Sequence, residues 1–189
     1  MLTLKNLDDA QISMLYENKM RRDFPPSELK KLSSILSMRK RGVYDVLGAY
    51  QDDVFVAYAL MYRDISARVV LLDYLAVDEP YRRRGIGSAL LLQLKAYYSS
   101  KSDVLLIECE RPKAAPDEVG ARKRISFYMR SGAELTPVRI WLFGVEYSIL
   151  VLPCSKELPV RDWAEQMLAL YRQMLPEELY EKNVRLIRG

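Results

Sequence analysis

The sequence predicts a mixed α/β fold: a central, mainly antiparallel sheet flanked by helices, with a short helical extension at the C-terminal end. Three observations carry that prediction. Two strand-like runs, Tyr44 to Tyr50 and Phe55 to Arg63, are separated by Gln51-Asp52-Asp53 and read as an antiparallel hairpin. The stretch Val69 to Leu94 then reads as strand, loop and helix, and near the end Val138 to Phe143 and Tyr147 to Leu152 make a second hairpin around Gly144.

Taken in order, Leu2 to Leu4 is a short edge strand, and Asp8 or Asp9 caps a helix carrying Ile12, Leu15 and Met20 on one side. That helix ends before Phe24-Pro25-Pro26. A second helix starts at Ser27, with Leu29, Leu32, Ile35 and Leu36 at helical spacing and Arg39, Lys40 and Arg41 complementing the dipole at its end. After the first hairpin, a turn around Asp64 to Arg68 leads into Val69 to Val77, rich in Val, Leu and Tyr with little polar alternation, as expected of a strand buried on both faces. Asp78-Glu79-Pro80 ends it. Ile86, Leu90, Leu94 and Tyr97 or Tyr98 then recur at the spacing of an amphipathic helix.

Ser99 to Ser102 is a polar turn, and Val104 to Glu110 is another strand. Reached through a helix, it should run parallel to the strand before it, leaving a slot where the two part. A further helix begins near Pro116-Asp117 and runs to Arg130 with Gly132 just beyond, proline early and glycine late. Past Pro153 the composition shifts. Val160, Trp163, Met167, Leu170, Tyr171 and Met174 form an apolar stripe, and Pro176 restarts a helix containing Leu179, Tyr180 and Val184. The expected division is therefore a main domain over 1–153 and an extension over 154–189.

Composition narrows the chemistry. Half of the 189 residues are hydrophobic, which excludes a disordered chain and suits one good core. There is no histidine, and Cys109 and Cys154 are too few for a disulfide scaffold, so a metal site of the usual His and Cys ligands is not expected. A general base must then be Asp, Glu, Tyr, Lys, Cys or a water. The formal charge is +4, but basic residues are spread over several segments and mixed with acids, a pattern that favours a phosphate-bearing small ligand over nucleic acid. No basic segment followed by an apolar run opens the sequence, and no apolar run approaches the roughly 18 residues of a membrane span, so the expectation is a soluble, cytoplasmic protein with no membrane partner.

The loop after Val77 carries the sharpest signal. Gly85-Ile86-Gly87-Ser88 opens a helix, where the first amides lack internal partners and the dipole is positive, which suits an anion. Arg82, Arg83 and Arg84 add guanidinium forks that match phosphate oxygens. A glycine pair alone is equally served by close helix packing. Other phosphate loops fit worse, since there is no Gly-x-x-x-x-Gly-Lys-Ser/Thr and the positions after Gly87 are Ser88, Ala89 and Leu90 instead of a third glycine.

In context, Arg82-Arg83-Arg84-Gly85-Ile86-Gly87 after a Leu-Ala-Val strand end resembles the Arg/Gln-x-x-Gly-x-Gly/Ala signature of the GNAT family of N-acetyltransferases. The order of elements agrees with the acyl-CoA N-acyltransferase fold. The resemblance implies that Leu75, Ala76 and Val77 contact the pantetheine arm of acetyl-CoA and that the loop, Arg83 to Ser88, holds its phosphates with Arg82 beside them. Tyr128-Met129-Arg130-Ser131-Gly132 resembles the family's second motif, which implies that Tyr128 lies beside the thioester sulfur and protonates the departing thiolate. Glu108 resembles the glutamate base of the branch that acetylates protein N-termini; the long segment Arg111 to Arg122 and Ala133 depart from that branch, and Asp73 is the second candidate base, acting through a water. The bland reading of Glu108 and Glu110 is solvation or pairing with Arg111, Lys113 or the arginines of the next helix. Cys109 lies on the opposite strand face from Glu108 with no identifiable acid-base partner, which disfavours an acyl-cysteine route. The first two helices would wall the acceptor site.

The implied function is acetyl transfer from acetyl-CoA to a primary amine by direct attack, in a monomer or homodimer. The alternative is a non-catalytic acyl-CoA-binding sensor or interaction protein.

Overall fold

A computed structural model describes residues 2–154 and 161–187, which fall into two compact units, Met1–Tyr97 and Tyr98–Gly189. In the first unit, strands β1 (Leu2–Asn6), β2 (Tyr44–Gln51), β3 (Val54–Asp64) and β4 (Val69–Val77) lie side by side in chain order, each pair antiparallel. In the second, β5 (Val104–Glu110), β6 (Glu134–Leu142), β7 (Val145–Pro153) and β8 (Val184–Leu186) stand in the order β5-β7-β6-β8, again antiparallel. With helices packed on these strands, the mixed, mainly antiparallel α/β class holds.

Both expected hairpins form around two-residue turns that need left-handed backbone, at Asp52 and Asp53 (φ 50° and 62°) and at Phe143 and Gly144 (φ 48° and 92°). Asp8 caps α1 (Asp9–Leu15) in a capping box with Gln11, and a π turn over Tyr16–Met20 carries the helical path into α2 (Arg21–Asp23). Ile12, Leu15 and Met20 are buried as the spacing required.

The second helix departs from expectation. It starts at Leu32, five residues after Ser27, and forms α3 (Leu32–Lys40). The reason is tertiary: the Tyr74 hydroxyl donates to the Glu28 carbonyl at 2.7 Å and accepts from the Lys30 amide at 2.9 Å, so these backbone groups serve β4 instead of a helix. Strand β4 itself matches its predicted span, with Val69 to Leu72 and Tyr74 buried. Helix α4 (Ile86–Tyr98) buries Leu90, Leu91, Leu94 and Tyr98, while the Tyr97 hydroxyl accepts from Asn6 at 2.9 Å.

In the second unit, α5 (Glu118–Arg130) begins after Asp117, whose carboxylate caps the Gly120 amide. β6 starts at Glu134, four residues before the predicted Val138, and its pairing with β7 is irregular between Leu135 and Arg139, around Pro137. The tail forms α6 (Trp163–Met174), which buries Met167, Leu170, Tyr171 and Met174, and α7 (Glu177–Asn183). Val160 lies outside the described residues. Val184, expected in the last helix, instead opens β8, because its short run finds the free edge of β6, with Val184 opposite Leu142.

Candidate functional site

The first unit carries the residues expected to hold an anion. β3 and β4 lose register between Leu60 and Met61, which face Tyr74 and Leu72, so Asp73 is the extra residue of a bulge. Beyond it, Leu75, Ala76 and Val77 are half-buried, opposite Ala59, Tyr58 and Ala57. A short 3-10 turn over Glu79–Tyr81 then delivers the chain to the arginines.

Two left-handed residues shape the loop: Arg83 at φ 61° and Gly85 at φ 77°. Nothing lies within 4 Å of where a Cβ would stand on Gly85, so the backbone is open to approach there. Ala89 is the first amide to bond back, to the Gly85 carbonyl at 3.0 Å, so the amides of Ile86, Gly87 and Ser88 have no carbonyl four residues earlier within the helix. Arg82, Arg83 and Arg84 are all exposed, and the Arg84 guanidinium sits over the Tyr81 ring at 5.9 Å. A cleft of about 300 Å³ opens beside the loop, lined by Gln51, Asp52, Val54, Val56, Tyr81, Arg84 and Ile86.

The loop is braced from α2. Arg82 donates to Asp23 at 3.3 Å and to the Val77 carbonyl at 3.0 Å, Arg22 bridges Asp23 at 3.1 Å and Asp78 at 3.0 Å, and Lys19 reaches Asp78 at 2.7 Å. Burial would raise the Asp78 carboxyl, but the hydrogen bonds from Lys19 and Arg22 outweigh it and hold the group below its ordinary 3.8. Tyr58 donates to the other Asp23 oxygen at 2.9 Å, and burial together with that negative charge pushes its phenol well above the ordinary value. A second cleft, about 330 Å³, opens among Tyr16, Arg21, Phe24, Pro26 and Leu29, the region expected to wall an acceptor.

Asp73 is already engaged. Its side chain is only 6% exposed; Lys30 donates to one oxygen at 2.7 Å and the Tyr44 hydroxyl to the other. Neither partner was legible, because Lys30 follows a proline-rich turn and Tyr44 opens a strand, and no spacing ties either to position 73.

In the second unit, Glu108 and Glu110 lie on one face of β5, both half-buried. Glu110 pairs with Arg124 of α5, one of the pairings anticipated for the two glutamates. Glu108 is held instead by the Tyr171 hydroxyl of α6, 2.8 Å from each carboxylate oxygen. Only the hydroxyl distinguished Tyr171 from its apolar neighbours in the stripe. Cys109 is buried, and burial pushes its thiol up to about 12, so it is no ready nucleophile. Tyr128 is half-buried on α5; burial, reinforced by the Cys109 charge and opposed by Arg124, raises its phenol well above the ordinary value. Its proton is therefore present at neutral pH.

The family described as Acetyltransferase (GNAT) matches residues 10–116. The chain belongs to the acetyltransferase (GNAT) family. This GNAT-family chain also shares its fold with solved structures. The ribosomal-protein-S18-alanine N-acetyltransferase from Escherichia coli aligns at TM-score 0.62 and 21% identity, over 83% of this chain and 96% of that one. A GNAT-family protein from Bacteroides thetaiotaomicron aligns at TM-score 0.72 and 18% identity, over 90% and 94%. The spermidine N-acetyltransferase from Vibrio cholerae, in complex with CoA and spermine, aligns at TM-score 0.63 and 10% identity, over 82% and 96%. No curated protein matches the sequence. Among the described residues, no helix is long and apolar enough to cross a membrane, and no cluster of three or more His, Cys, Asp or Glu is arranged for a metal ion.

Proposed function

We propose that this GNAT-family chain is an acetyl-CoA-dependent N-acetyltransferase that acts on a primary amine by direct attack. The observation that carries the reading is the loop after β4, where two left-handed residues, three exposed arginines and three helix-start amides are combined in a member of this family.

Those groups fit the donor. The amides of Ile86, Gly87 and Ser88 and the guanidinium groups of Arg83 and Arg84 would hold its phosphates, and Leu75, Ala76 and Val77 its pantetheine arm. Arg82 keeps donors to spare beyond Asp23 and Val77, since a guanidinium carries five N–H groups. Bound acetyl-CoA supplies a thioester carbonyl open to attack. Glu108 takes a proton from the acceptor's ammonium form, directly or through a water, which frees the nitrogen lone pair that attacks the carbonyl carbon. A backbone amide near Ala76 or Val77 steadies charge on the acyl oxygen, and Tyr128 delivers its proton to the departing sulfur. Asp73 is the less suitable base, because the Lys30 ammonium that donates to it at 2.7 Å makes its carboxylate a poorer proton acceptor.

An amine acceptor agrees with the solved relatives, one an alanine N-acetyltransferase and one holding spermine. The direct test is the thermal shift with acetyl-CoA, CoA and ATP, followed by thiol release with a panel of amines. A ligand at about 100 times its Kd stabilises by roughly 2.7 kcal/mol. The expected result is a rise with acetyl-CoA and CoA, none with ATP, and amine-dependent thiol release. A rise without release from any amine would favour a cofactor sensor; no rise would remove the reading of the loop.

A further inference from the structure

Glu108 meets the C-terminal helix in an unusual geometry. The Tyr171 oxygen stands 2.8 Å from both carboxylate oxygens, so the single phenol hydrogen is shared between them and the carboxylate plane is fixed symmetrically about the O–H axis. Tyr171 is 5% exposed and stands between Leu170 and Met174, both buried, so its ring has little freedom to swing away. An ionised carboxylate accepts at about four lone-pair positions, of which the shared phenol hydrogen takes up the inner edge between the two oxygens.

We propose that Tyr171 is a positioning residue for Glu108: its phenol orients the carboxylate and favours the ionised form that accepts a proton from an amine or binds an ammonium. The proposal rests on the reading of Glu108 as the base. Hydrogen bonding to the charged form of a carboxyl lowers its pKa, so the contact extends the ionised form to lower pH. Other titratable groups stand near Glu108 too: Cys109 beside it in the strand, and Glu110 on the same face with its Arg124 partner. The sequence extension thus reaches the chemistry through one hydroxyl.

The test compares wild type with Tyr171→Phe, which keeps the ring and removes the hydroxyl, and reads the Glu108 carboxyl by carbon-13 NMR across pH, with Glu108→Gln to assign the signal. Removal of the donor should move the Glu108 titration upward by about half a pH unit or more. The acid limb of kcat/KM for an amine acceptor should move up with it, while acetyl-CoA affinity stays unchanged. A reciprocal measurement needs no folded Tyr171→Phe: in Glu108→Gln the Tyr171 phenol should titrate at lower pH than in wild type, since the negative charge that held its proton is gone. Titrations that do not move, in a wild type that transfers acetyl groups, overturn the positioning role and leave the function standing. A shifted titration in a protein that transfers no acetyl group to any amine overturns the functional reading and reduces the pair to a structural contact.

Discussion

Asp73 and Glu108 are both carboxylates on strands, and both are candidates for the same proton, yet they are built into the molecule differently. Asp73 occupies a bulge and binds an ammonium through one oxygen and a phenol through the other. Glu108 follows the regular pairing of β5, opposite Ile149, and shares one phenol hydrogen between its two oxygens. A carboxylate neutralised by a lysine is a structural tie, whose removal leaves a charge behind. A phenol, by contrast, brings a hydrogen bond to a carboxylate without a positive charge. Chemistry therefore follows the partner set more than the residue type.

The largest expected effect separates the two directly. Glu108→Gln should lower kcat by about a hundredfold or more, the scale of lost general base catalysis, with unfolding little changed. Asp73→Asn should do the reverse: turnover largely kept and stability reduced by about 2 kcal/mol, since the half-buried ammonium of Lys30 loses the carboxylate it donates to. Steady-state kinetics and urea unfolding of both variants decide it, and exchanged outcomes would make Asp73 the base. Tyr128→Phe should also cost about a hundredfold in kcat with donor affinity nearly unchanged. Equal losses in both would move Tyr128 from proton delivery to binding.

On the cofactor side, Arg83→Ala and Arg84→Ala should each weaken acetyl-CoA binding by about tenfold at low salt and less at high salt, as expected for charge-assisted phosphate contacts. Calorimetry at two ionic strengths reads this, and an effect on kcat alone would place these arginines elsewhere in the cycle. A smaller effect comes from Asp78. Because its folded carboxyl lies below 3.8, its contribution to stability is complete above about that pH and is lost as pH falls through the folded value. Asp78→Asn should accordingly flatten the acid side of the stability profile measured by thermal unfolding. Cys109, with its thiol near 12, should resist alkylation at pH 8 until the protein is unfolded.

The two regions also differ in how far they could be read from the chain. The loop proposed to bind acetyl-CoA is contiguous: Leu75 to Ser88 places a strand end, a turn, three arginines and a helix start within one short run, and hydrophobic period, glycine placement and dipole logic all act locally. The spans of β4 and β5 were legible for the same reason, as were a cap at Asp8 or Asp9 for α1 and a start near Pro116-Asp117 for α5. Legibility failed where a local preference met a distant partner. Ser27 was a good N-cap candidate, yet Tyr74 takes the backbone at Glu28 and Lys30, and the helix waits until Leu32. Val184 continued a helical spacing, yet β6 offered an edge, and a β-branched residue pairs there readily.

The sequence by itself determined the fold class, the position of the arginine- and glycine-bearing loop after β4 and the residue types able to move a proton in a chain without histidine, because each depends on neighbours a few residues apart. Only the tertiary structure decided which side chains the two carboxylates meet. Lys30 meets Asp73 across 43 residues and Tyr171 meets Glu108 across 63, and contacts at such separation are set by packing of the whole chain, which no local pattern encodes.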